Sequence, residues 1–208
     1  MEKVMTDRSW NFDEIRTEFN GCETLGEVVR KIEFLAAATG EVVCEIRVNN
    51  KMLADDLDEI ECQAQIAELQ SISMRSERPE SLIVQALESA TGFIPVLTDA
   101  SLQTAGLFKD GDVGPGNERF REVVEGCQWF VETLNHARGA ASGLGQPVEA
   151  AERWHSAEGM LFKVVQELTE TFDRRDVIAV ADILEFELTA ALEMWQPILL
   201  HESKRRSI

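Results

Sequence analysis

The sequence predicts an α+β protein, mainly α: a small N-terminal helix plus β-hairpin/sheet module, followed by a four-helix bundle made of two helical hairpins. Three observations carry that expectation. Asp176 to His201 repeats apolar residues at Ala181, Leu184, Leu188, Ala191, Trp195 and Leu199, spacings of three and four that fall on one face of a helix. Three upstream runs share that period and are separated by breaks rich in Gly and Pro. Between Val42 and Val48 the apolar period switches to two, as in a half-buried strand.

Taken in order, residues 1–21 are mixed, and the only element expected there is a short helix over 12–19. Thr24 with Glu27 three residues on has capping-box spacing and opens a helix over 24–39. Its apolar face is Leu25, Val28, Val29, Ile32, Leu35 and Ala36, and Gly40 suits its end. A strand over 42–48 turns Val42, Cys44, Ile46 and Val48 to one side. Asn49-Asn50 can take the positive φ angles of a tight turn into a return strand over 51–53. A third strand is expected over 69–75, with Gln70, Ile72 and Met74 sharing a side. The acidic stretch Asp55, Asp56, Asp58, Glu59 and Glu61 lacks the ligand alternation and central Gly of an EF-hand, and reads as a solvated segment.

Pro79 marks the boundary, since Pro followed by Glu80 is a helix-start signal. Residues 1–78 form the α/β module and residues 79–208 the bundle, with helices over 80–108, 117–141, 148–172 and 175–202. Lys109 to Gly116 and Ser142 to Pro147 are the breaks, and Pro95 should kink the first helix. Sliding the chain by 64 residues lays Phe108 on Phe172 and Val124 on Leu188, a match that an internal duplication of a hairpin or shared apolar periodicity alone would produce.

The net charge is −18, spread evenly: 17 acids against 9 bases before Pro79, and 21 against 11 from it onward. A field of that sign disfavours nucleic acid and anionic membranes, which are bound by neutralising phosphates. It favours a protein partner, basic or apolar-helical, with a homodimer also admissible. Cys22, Cys44, Cys62 and Cys127 show no CxxC or zinc spacing and fit reduced thiols. No signal-peptide pattern opens the chain and no apolar run reaches membrane-spanning length, so a cytoplasmic location is expected.

The sharpest chemical motif is Glu152-Arg-Trp-His155. Di-metal carboxylate bundles need two Glu-x-x-His motifs and two further Glu residues. The other histidines, His136 and His201, have Thr133 and Ile198 at the required place. Glu152, His155 and Glu158 are therefore the candidate metal ligands of an incomplete set, and no metal or cofactor is expected. No GxSxG, HExxH or kinase set occurs, and no catalytic residue is assigned. Pro95, Gly159 and Pro197 are weak points inside helical runs where a groove could open for a partner.

The arrangement resembles small acidic bacterial bundle proteins that act as chaperones or adaptors, a likeness of fold alone. The expected function is a non-catalytic cytoplasmic protein-interaction module, adaptor or chaperone-like, presenting an acidic helical surface or groove. The alternative is a metal- or small-ligand-binding bundle centred on the Glu152/His155 helix.

Overall fold

The computed structural model describes residues 6–53, 62–141 and 148–206. It has the expected α+β, mainly α character, with two compact units, Met1–Leu82 and Ile83–Ile208.

The first unit contains β1 (Thr6–Asn11), α1 (Phe12–Glu18), α2 (Leu25–Ala38), β2 (Val42–Val48), β3 (Lys51–Met52) and β4 (Ser71–Glu77), with a short 3₁₀ turn at Ile66–Glu68. The antiparallel sheet runs β1-β4-β2-β3. Strand β1 was not expected from the sequence, because Trp10 is its one buried apolar side chain and the period of two is hidden by polar residues. Its end is fixed by a capping box: Asn11 Oδ1 accepts from the backbone of Asp13 and Glu14, and Glu14 Oε2 accepts from the Asn11 N–H at 2.8 Å.

The box expected at Thr24 does not form. Thr24 makes no side-chain cap, and Glu27 instead accepts from the backbone of Glu23 at 2.6 Å. Thr24 is held in a bridge to Gln65, and the Leu25 N–H donates to the Ala64 carbonyl. The tertiary contact has replaced the local cap.

The β2 expectation also needs correction. A bulge between Val43 and Glu45 leaves Cys44 opposite no partner. One extra residue reverses the parity of side chains, so Val43 joins Ile46 and Val48 at the core while Val42 is exposed. Asn49 and Asn50 take φ of 49° and 65°, the conformation expected of the turn. Asn49 Oδ1 also accepts from the backbone of Gln70 and Ser71, tying the turn to the start of β4. β4 begins two residues later than expected and is central, with Ile72 and Met74 buried and Gln70 exposed before the strand. Trp10, Ile15, Phe19, Val28, Ile32, Ile72 and Met74 lead the core of this unit. The Asp55–Glu61 stretch lies outside the described residues.

The second unit is built from α3 (Pro79–Lys109), α4 (Val113–Ala141), α5 (Val148–Asp173) and a final rod. That rod consists of α6 (Val177–Asp182), a π-helical stretch (Ile183–Leu188) and α7 (Thr189–Arg206). One core draws on all four rods, through Ile83, Leu87, Phe108, Phe120, Phe130, Leu161, Leu168, Leu184 and Trp195 among others. Every residue of the predicted stripe, from Ala181 to Leu199, is buried.

Two sequence expectations are corrected here. Helix α4 starts at Val113 rather than 117, because Pro115 sits in the first turn, where its missing N–H has no partner to lose. Helix α3 is continuous through Pro95, as the expected range of 80–108 has it. Helix α3 is long and apolar enough, by length and composition alone, to cross a membrane. The reason is that it carries exposed Val96 and Leu102 in addition to the core residues Ile83, Leu87, Ala90, Ile94 and Leu97. The π-helical stretch carries no signal in a 3.6 periodicity. It buries Ile183, Leu184 and Leu188 while Phe186 stays exposed under the Lys109 ammonium. Lys109 also pairs with Asp182 and Glu185, holding the end of α3 against this rod.

Candidate functional site

A groove of about 720 Å³ lies between α4 and α5, with Trp195 of α7 at its base. Helix α4 contributes Cys127, Gln128, Val131, Glu132, Leu134 and Asn135. Helix α5 contributes His155, Glu158, Gly159, Leu161, Phe162 and Val165. Both sets recur at spacings of three and four, the pattern of one helix face. Each helix thus has two apolar faces. One is sunk in the core through Cys127, Leu134 and Leu161, and the adjoining one lines the groove through Val131, Val165 and Phe162.

The base is rigid. Trp195 is 1 % exposed and is held edge-on by Phe130 (centroids 6.0 Å apart) and Trp154 (4.9 Å). Its indole N–H has no acceptor among the described residues. A buried donor left unmatched costs about 1–3 kcal/mol. Beside it, burial pushes the Cys127 thiol up to about 12. That thiol is therefore protonated at neutral pH and is not a nucleophile, since only the thiolate attacks.

The rim is wet. Phe162 is 69 % exposed, an unusual position for a Phe. Glu158 accepts from Arg138 at 2.8 Å and lies 3.3 Å from His155 Nδ1. Glu132 is exposed and makes no ion pair among the described residues. No Lys or Arg lines the groove. Its electrostatic character is that of an apolar slot with one uncompensated carboxylate on its α4 edge.

The predicted residues divide accordingly. His155 and Glu158 lie together on the groove edge, whereas Glu152 is exposed and takes no part in it. Among the described residues no group of three or more His, Cys, Asp or Glu side chains is placed to hold a metal ion. Gly159 lies in the groove wall, while Pro95 and Pro197 are exposed elsewhere. The sequence places Trp195 in an apolar stripe, and at Trp195, Cys127, Val131 and Val165 themselves it carries no sign that they flank a cavity. The available signal was Phe162, an apolar residue outside the α5 core stripe and three residues after a helix-interior glycine.

The family model described as Domain of unknown function (DUF8042) matches residues 85–198, more than half of the chain. The chain belongs to that family. The DUF8042 match lies within the helical unit and includes every residue that lines the groove. No curated protein and no solved structure matches the chain.

Proposed function

We propose that this DUF8042 protein is a non-catalytic interaction module, adaptor or chaperone-like, that receives an apolar segment of a protein partner in the groove between α4 and α5. The observation that carries the reading is the groove itself: about 720 Å³ of apolar slot with a buried Trp base and an exposed Phe162 on its rim. Exposed apolar surface bordered by polar residues is the common mark of a partner site. Burial keeps the Cys127 thiol protonated at neutral pH, which removes that one thiol as a nucleophile.

A photo-crosslinking residue at position 162 tests this, with the same residue at position 186 as control. Both positions are exposed phenylalanines, but only 162 borders the groove. In cells, one adduct of defined mass from 162 and none from 186 is the expected result. Equal, diffuse labelling from both would remove the groove as the recognition element.

A second reading has the groove filled by a small apolar ligand, favoured by a volume within the roughly 300–1,000 Å³ of ordinary ligand sites. The form of that alternative that uses a metal at Glu152, His155 and Glu158 has less support, because Arg138 already occupies Glu158.

A further inference from the structure

We propose that the occupant of the groove is a short basic amphipathic helix, with two or three bulky apolar side chains on one face and a Lys or Arg that meets Glu132. This rests on the partner-binding reading above. Three features of the groove support it.

The first is length. From Cys127 to Asn135 the α4 wall spans eight residue rises, about 12 Å, and from His155 to Val165 the α5 wall spans ten, about 15 Å. Anchors at i, i+4 and i+7 of an incoming helix span about 10.5 Å, which that length accommodates. The second is periodicity. Both walls offer a three-four stripe, the arrangement into which another helix lays its own side chains. Gly159 lies in the middle of the α5 wall, and a Cβ built there meets nothing within 4 Å.

The third is charge. The groove has no cationic lining residue, Glu132 lacks a partner among the described residues, and the chain as a whole carries −18. An acidic helix would meet that field unfavourably. So would a second copy of this chain, whose own charge is the same. A basic helix gains from Glu132 on contact and from the overall field on approach.

The test uses the full chain and three fluorescently labelled 16-residue peptides, read by anisotropy at 50 and 300 mM salt. One peptide is amphipathic with Leu on one face and Lys on the other. A second replaces Lys with Glu, and a third scrambles the first so that no apolar face forms. The expected result is binding of the first at least tenfold tighter than either of the others. Glu132→Lys should weaken it at least fivefold, whereas Glu167→Lys, the same charge change at an exposed site off the groove, should not. Gly159→Leu, whose Cβ enters space with no atom within 4 Å, should abolish it.

Equal affinity for the Lys and Glu peptides, or for the ordered and scrambled ones, overturns the proposal. So does an equal loss from Glu132→Lys and Glu167→Lys, which would mean attraction to the general field. If no peptide binds but an apolar dye is retained by the wild-type chain and excluded by Gly159→Leu, the helix proposal fails and the small-ligand reading stands. If neither binds and the 162 crosslink is also silent, the partner-binding reading fails with it.

Discussion

Gly159→Ala separates the stability of helix α5 from the purpose of its groove face. Glycine in a helix interior costs about 0.5–1 kcal/mol relative to alanine, because its backbone loses more freedom on folding. At Gly159 the added Cβ has no neighbour within 4 Å and the backbone φ is not in the left-handed region. Nothing offsets the gain. For the unit Ile83–Ile208, with an unfolding entropy of about 2 cal/mol/K per residue, a gain of about 0.8 kcal/mol raises Tm by about 3 °C. Thermal unfolding followed by circular dichroism at 222 nm measures it directly. The glycine would then be a residue whose removal stabilises the fold, which is the expected behaviour of a position kept open for a partner. A fall in Tm would refute the reasoning, since it would mean that the groove wall at 159 is packed against something.

Gly116→Ala should act in the opposite sense. A Cβ there would lie 2.6 Å from Cε1 of Phe108, a fully buried ring, and urea unfolding should show a loss of about 1–3 kcal/mol. Glu202→Ala should cost about 3 kcal/mol in the same assay. The Glu202 side chain is 3 % exposed and pairs with Arg205 at 2.8 Å and with the buried Arg206 at 3.7 Å, so its removal strips a buried cation of that carboxylate. Cys127 should resist iodoacetamide at pH 8 in the native chain and react only on unfolding, while the part-exposed Cys22, Cys44 and Cys62 react first; mass mapping of the labelled sites checks the order. The same burial makes stability fall with alkali. The folded thiol holds its proton to about pH 12, whereas an unfolded thiol releases it near 9, so the contribution of Cys127 is complete below pH 9 and is lost as pH rises from 9 to 12. A Cys127→Ala variant should show a flatter stability profile across that window.

The large helices were legible because apolar periodicity over many residues is strong, and Ala181 through Leu199 are buried as the spacing requires. The Asn49-Asn50 turn was legible because few residue pairs take two positive φ angles readily. Local signals failed where distant chain segments competed with them. Thr24 lost its capping role to the bridge with Gln65, and the alternation of β2 was reversed by a bulge whose register β4 sets. Strand β1 exists because β4 offers it a pairing edge, not because its own residues insist on it.

The groove follows the same division. By itself the sequence determined that α4 and α5 each carry a core stripe, that the surface is acidic, and that Gly159 is a weak point beside His155. Only the tertiary structure decided that about 720 Å³ lies between the two helices, lined by Val131, Phe162, Val165 and Trp195 among others. A helix sequence fixes which residues share a face, because rise and twist per residue are local properties. It does not fix the spacing between two helices. That depends on how the aromatic rings of Phe130, Trp154 and Trp195 pack beneath them, which is a property of three separated chain segments at once.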